Sequence, residues 1–155
     1  HRRRPALDLL MRLGGIDPNV VWDLGCGSGE ITRLLAERWS NARVHGLDSS
    51  PEMLVAARTA ASGVTWVEGD IAAWEPERPA DLVFANASLH WIPDHDRLFP
   101  RLAGALAPGG VLAAQMPRNA DEPSHRVLAD IASRERWAGR VGYRAEWRPV
   151  GPPGD

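Results

Sequence analysis

Short apolar runs alternate with stretches of helical spacing along this chain. Residues 20–24 (VVWDL), 43–47 (RVHGL), 64–67 (VTWV), 81–86 (DLVFAN) and 111–116 (VLAAQM) read as strands, the fourth apolar enough to be buried on both faces. Between the first two, Ile31, Leu34, Leu35 and Trp39 follow helical spacing. Ser50, Pro51 and Glu52 supply an N-cap, an N1 proline and a first-turn acid, so a helix should run to about Ala61. Another is expected from about Asp96 to Leu106, with Pro100 in or near its first turn, followed by a turn at Pro108, Gly109 and Gly110. Ahead of the first strand, residues 5–13 place Leu7, Leu10 and Leu13 on one face behind a proline suited to a first turn, and Gly14 and Gly15 close that helix. A last helix should begin at Pro123, with Val127, Leu128, Ile131 and Ala132 inward; from Gly139 onward the pattern reads as linker or fray. Strands alternating with helices predict a parallel sheet with right-handed crossovers and helices on both faces.

Composition narrows the class without naming it. The 155 residues suffice for one domain with a core, at an ordinary 44% hydrophobic and 25% charged. A net charge of −2 gives no global field toward nucleic acid or an anionic membrane, and no basic patch with interleaved aromatics is visible. All 18 basic residues are arginine, a compositional bias given no functional weight. The single cysteine, Cys26, precludes an internal disulfide and fits a reducing, cytoplasmic compartment. No apolar run approaches the roughly 20 residues of a membrane span, and no signal peptide is visible. The chain opens on His1 rather than Met, so further residues are expected upstream.

The chemistry starts where the first strand ends. In VVWDLGCGSGE three alternate glycines, Gly25, Gly27 and Gly29, follow an apolar run, although glycine weakens strands and helices alike. In an open parallel sheet, ligands sit at the carboxyl ends of the strands, so the glycines should give a tight turn and a close approach to a ligand. A glycine-rich turn without a ligand is the plain alternative. The spacing does not fit the dinucleotide fingerprint: the third glycine comes one residue early, and the acidic Asp23 stands where that strand would be apolar. Asp48 closes the second strand, placed to accept from both hydroxyls of a ribose, and Asp70 closes the third in EGDI. Each acid alone could be a helix cap or a solvated turn residue. Together, at matching strand ends, they fit a nucleoside with a positively charged amino-acid tail: S-adenosylmethionine.

The sequence then resembles a known family. DLGCGSG, GLDSSPEML, EGDI, DLVFANASLHW and LAPGGVLAAQMP are similar to the class I S-adenosylmethionine-dependent methyltransferases; RRRPALDLL, LDSSPEM, ANASLHWIPDH and QMPRN resemble the trans-aconitate 2-methyltransferases among them. The resemblance covers roughly residues 2–135. It implies an α/β, Rossmann-like doubly wound sheet with five parallel strands in the order 3-2-1-4-5, a cofactor domain over residues 1–138 opening with a helix in 1–15, and an irregular tail over 139–155. It also implies roles. Gly25, Gly27 and Gly29 would line the methionine part of the cofactor, with Asp23 near its ammonium. Asp48 would hold the ribose, with Ser49 beside it and Met53 near the adenine, although Met53 reads equally as helix core. Asp70 would reach the adenine amino group, the Ile71 amide a ring nitrogen, and Asn86 the amino-acid end. Cys26 reads as loop packing rather than a nucleophile.

Methyl transfer from a sulfonium is an in-line displacement with a good leaving group, so alignment and exclusion of water carry most of the catalysis. A carboxylate acceptor, as the subfamily implies, is already nucleophilic at pH 7 and needs no base. His90 is the candidate base for any other acceptor, or a donor to the substrate, or a satisfied loop histidine. Trp91 would wall the methyl pocket or pack under the following loop. A tricarboxylate needs cations: Arg2 and Arg4 match the subfamily's R-x-R-P pattern, and Arg118 and His125 are further candidates; all four also read as solvated surface charges, which for Arg118 and His125 is the better reading. His90 and His95, with Asp94 and Asp96, lack the spacing of a metal cage.

Nothing after residue 139 reads as the two further strands with which the family usually finishes, nor as helices that would cover the acceptor. An incomplete chain is therefore expected, with its fifth strand an open edge unless a partner chain completes the sheet. Three readings follow: a small-molecule methyltransferase with trans-aconitate as favoured acceptor, a cofactor-binding piece that does not turn over, and a nicotinamide-dependent oxidoreductase.

Overall fold

The computed structural model describes residues 3–60 and 62–117, together with Val127, Asp130, Ile131, Arg134 and Arg136. The chain divides into two compact units, His1–Met116 and Pro117–Asp155. In the second unit Val127, Asp130 and Ile131 are helical, but Val127 and Ile131 are exposed rather than inward. The first unit carries the sheet.

Its elements follow in order: α1 (Arg4–Arg12), β1 (Val20–Leu24), α2 (Glu30–Arg38), β2 (Arg43–Asp48), α3 (Pro51–Ala60), β3 (Thr65–Glu68), a 3₁₀ turn (Ile71–Ala73), β4 (Ala80–Asn86), a second 3₁₀ turn (Leu89–Trp91), α4 (His95–Gly104) and β5 (Leu106–Gln115). The five strands are ordered β3-β2-β1-β4-β5 and every neighbouring pair is parallel, as the sequence predicts.

Strand alternation sorts the core into two layers. Val21, Val44, Leu82 and Phe84 point to one face, where Leu10 and Leu13 from α1 and its end, and Leu35 and Trp39 from α2 and its end, cover them. Leu24, Leu47, Val83 and Ala85 point to the other, against Leu98 and Leu102 of α4 and the turn residues Ile71, Trp74 and Leu89. Toward the amino ends of β1 to β3, on this second face, lie Trp22 and His45. There Trp22 stacks on His45 with ring centroids 4.4 Å apart, and a cavity of about 470 Å³ lies between the strands and the 74–78 connection.

Four expectations are corrected. The inward stripe of α1 is Ala6, Leu10 and Leu13; Leu7, one residue and 100° round from Ala6, is 40% exposed. Pro100 falls inside α4, past its first turn. The Pro108–Gly110 turn does not precede the fifth strand but is looped out within it, because Ala80 pairs with Leu106 before the turn and Leu82 with Val111 after it. Asp70 does not close β3, which ends at Glu68; its Oδ1 instead accepts the Ala72 N–H at 2.8 Å and caps the first 3₁₀ turn.

Candidate active site

The carboxyl ends of β1, β2 and β4 converge on the glycine loop. The backbone amides of Gly25 and Cys26 both donate to the Leu47 carbonyl, at 2.8 and 3.0 Å, tying the loop to β2. The Gly27 N–H donates to Asp48 Oδ2 at 2.8 Å, and the Ser50 N–H to Asp48 Oδ1 at 2.9 Å. Asp48 thus holds two loops before any ligand arrives, with a lone pair left on each oxygen. Ser50 Oγ then accepts the Met53 N–H at 3.2 Å, which is the N-cap read from the sequence.

The three glycines, expected to act alike, do three different things. All have positive φ, but a Cβ on Gly25 would lie 2.3 Å from the Ser88 Cβ, and one on Gly29 would lie 2.6 Å from the Trp66 ring and 3.0 Å from the Ala57 Cβ. Those two glycines admit protein neighbours. Of the three, only at Gly27 (φ +54) would a Cβ meet none of the described residues within 4 Å. The bare backbone open to a ligand is therefore the middle glycine.

Ser88 was not singled out by spacing, yet it joins the two sides of the site. It is buried, and its Oγ–H donates to the Leu24 carbonyl at 2.6 Å. Ala87 just before it adopts φ +53, a conformation uncommon outside glycine, while its N–H donates to the Gln115 carbonyl at 2.8 Å. That turn brings the 88–91 segment back over β1. Trp66 carries no signal beyond its strand in the sequence, although Gly29 and Gly46 are both small to admit its ring.

Asp23 is 2% exposed and accepts a 2.6 Å hydrogen bond on Oδ2 from the Thr32 hydroxyl. Burial pushes its pKa up to about 7 against the lowering by Thr32, and the Asp48 charge adds to the rise. The folded state then holds a proton that the unfolded chain has lost above pH 4. Stability of the ligand-free chain is expected to fall by on the order of 4 kcal/mol from pH 4 to 7 through this group, and to stay level above. Thermal unfolding of Asp23→Asn against wild type should show the gap opening across that window; a constant gap would remove Asp23 from the account. Cys26 is buried with its thiol pushed up to about 12, first by burial and then by Asp23 and Asp48, so it stays protonated, in keeping with packing.

The remaining sequence-predicted residues fall as follows. Asn86 ends β4 with its Oδ1 buried and without a hydrogen-bond partner among the described residues, and His90 Nδ1 is in the same state. Burial first, and His95 second, hold the His90 imidazolium below the usual histidine range, so the ring is neutral at pH 7. Trp91 is 77% exposed, which rules out packing under the next loop. Met53 is 48% exposed, which rules out helix core. Ser49 and Asp70 are exposed, and Ile71 is buried with its Cδ1 3.6 Å from where a Gly25 Cβ would stand. Arg4 lies on the exposed side of α1, 3.8 Å from Asp8. Its neighbour Arg3, not chosen from the sequence, pairs with Glu30 immediately after the glycine loop. Arg2, Arg118 and His125 lie outside the described residues. Among the described residues no group of His, Cys, Asp and Glu is arranged to hold a metal, and no helix is long and apolar enough to cross a membrane.

A methyltransferase domain family matches residues 21–110, from β1 through the start of β5. The chain belongs to this methyltransferase family. A trans-aconitate 2-methyltransferase of Azoarcus sp. strain BH72 is 54% identical over 145 residues, covering 93% of this chain and 56% of the relative. The chain thus spans little more than half the length of the curated relatives it matches. Among solved structures, an S-adenosylmethionine-dependent methyltransferase from Mesorhizobium loti is 34% identical with a TM-score of 0.62, over 72% of this chain and 52% of that one. SAM-bound CalS10, an amino pentose methyltransferase from Micromonospora echinaspora, is 26% identical with a TM-score of 0.63, over 76% and 51%. The methyltransferase match leaves the nicotinamide reading without support.

Proposed function

We propose that this methyltransferase chain binds S-adenosylmethionine across the tips of β1, β2 and β3 and methylates a carboxylate of a small organic acid, with trans-aconitate the favoured acceptor. The observation that carries the reading is the unobstructed backbone at Gly27, held by its own N–H against the Asp48 carboxylate. A ligand tail can lie on that backbone while a sugar shares the adjacent carboxylate. Asn86 Oδ1, buried and without a partner among the described residues, supports a donor arriving from the ligand on the β4 side. Exposed Met53 gives an apolar surface for a base beside Asp48, and Asp70 and the Ile71 amide stand beyond the end of β3, in the turn that follows it. When bound, the cofactor supplies an electrophilic methyl on a sulfonium.

The chain's own residues orient and shield. Ser88 ties the segment carrying His90 and Trp91 to the strand carrying Asp23, so acceptor side and cofactor side move together. Neutral His90 presents a nitrogen to an acceptor without competing as a charge, and exposed Trp91 beside it, ring centroids 4.6 Å apart, offers a wall. Arg4, with Arg2 of the same R-x-R-P pattern, would supply cations for a polycarboxylate. The relatives named for trans-aconitate support that choice of acceptor.

Calorimetry with S-adenosylhomocysteine against NAD tests the cofactor: the former should bind and the latter should not. Labelled methyl transfer to a panel of small carboxylic acids tests the acceptor. Binding without transfer to any of them would make the chain a cofactor-binding piece. His90→Ala should still methylate the carboxylate, at a reduced rate; complete loss with cofactor affinity intact would make His90 a required base.

A further inference from the structure

A carboxylate that is 2% exposed needs more than one hydrogen bond. Asp23 receives one, on Oδ2 from Thr32, and among the described residues no hydrogen bond is made to Oδ1. The charged group acting on it is Asp48 of β2, of the same sign, and Cys26 in the loop is a neutral thiol. On the β4 side its register partner is Phe84, and Ser88 is uncharged. Among the described residues no arginine offsets the buried acid. Thr32 itself is completely buried on the third residue of α2, a position where a threonine is no better a helix former than its neighbours and where its hydroxyl has found this acceptor. The hydroxyl cannot be explained by solvation, and replacing it with a methyl would leave the packing in place.

We propose that Thr32 is a positioning residue for the cofactor's amino-acid tail: its hydroxyl fixes Asp23 and favours the carboxylate form, leaving the second oxygen to take the ammonium. This rests on the cofactor reading above. Hydrogen bonding to the charged form is what opposes burial at Asp23. Losing it should raise the pH at which Asp23 ionises, and cofactor affinity should follow that pH.

The test is the affinity of S-adenosylhomocysteine, by calorimetry from pH 5.5 to 8.0, for wild type, Thr32→Val, Thr32→Ala and Thr32→Ser. Wild-type affinity should rise with pH as Asp23 ionises. In Thr32→Val the midpoint of that rise should move up by about one unit, so that affinity is roughly tenfold lower near pH 6.5 and converges toward wild type at the alkaline end. Thr32→Ala, which cannot overfill the site, should show the same displacement, and Thr32→Ser should restore the midpoint. The carboxyl carbon shift of Asp23 in the ligand-free proteins should titrate in the same order. A loss of affinity by one constant factor at every pH, or an unmoved carboxyl titration, would make Thr32 a packing residue only and overturn the proposal. Failure of wild type to bind at any pH would instead remove the cofactor reading itself, and this inference with it.

Discussion

Gly27→Ala is expected to fold and to bind its cofactor weakly, whereas Gly25→Ala is expected to lose much of its stability. Both residues have positive φ, at +54 and +77, so each substitution carries the ~1–2 kcal/mol of a left-handed alanine. At Gly27 the new methyl meets none of the described residues, so the damage to stability stops there. It stands instead where the ligand tail should lie, and overfilling of about 1–3 kcal/mol should weaken S-adenosylhomocysteine by roughly 5- to 150-fold. At Gly25 the methyl would arrive 2.3 Å from the Ser88 Cβ, in a buried contact already closed by the bond from Ser88 to Leu24. Strain and overpacking together should remove about 2–5 kcal/mol, a large share of the roughly 5–15 kcal/mol of an ordinary domain. Urea unfolding and calorimetry on the two variants read both quantities. Equal loss of binding without loss of stability at both positions would return the glycines to the single shared role read from their spacing.

Asp48→Asn should weaken S-adenosylhomocysteine by more than about tenfold. The wild-type carboxylate accepts from Gly27 on one oxygen and from Ser50 on the other. An amide has one oxygen, so one of these N–H groups would face an NH₂, and the acceptor offered to the ribose is halved. The stranded donor should also lower stability by about 1–3 kcal/mol. S-adenosylhomocysteine affinity and denaturant midpoint together check this: an unchanged dissociation constant with a lowered midpoint would assign Asp48 to loop architecture alone.

The frame of this domain was legible because it is written in periods. Short apolar runs such as VVWDL and DLVFAN, with helical spacing between them, mark the strands of the sheet, and the family motifs supply its order. The ligand end was legible as far as acids and glycines at strand tips can show it. What spacing could not reveal is where backbone meets another chain segment. Gly25 and Gly29 look identical to Gly27 in sequence, and only Ser88 and Trp66, distant along the chain, distinguish them. Thr32 gave no signal because one polar residue inside an amphipathic helix is unremarked until its hydroxyl is found on a buried acid. Asp70 was placed at a strand end when it caps a turn, since an acid before an apolar residue serves either purpose. The arginines were the least legible: Arg4 and its neighbour Arg3 differ by a single position, yet it is Arg3 that meets Glu30 at the loop.

The central claim is the location of the cofactor, and a crystal structure of the chain with S-adenosylhomocysteine tests it most directly. The account predicts the homocysteine tail on the Gly27 backbone, the ribose on Asp48 and the adenine between Met53 and Asp70. Density instead in the cavity lined by Trp22, His45 and Trp74 at the amino ends of the strands, or none at either end, would contradict it.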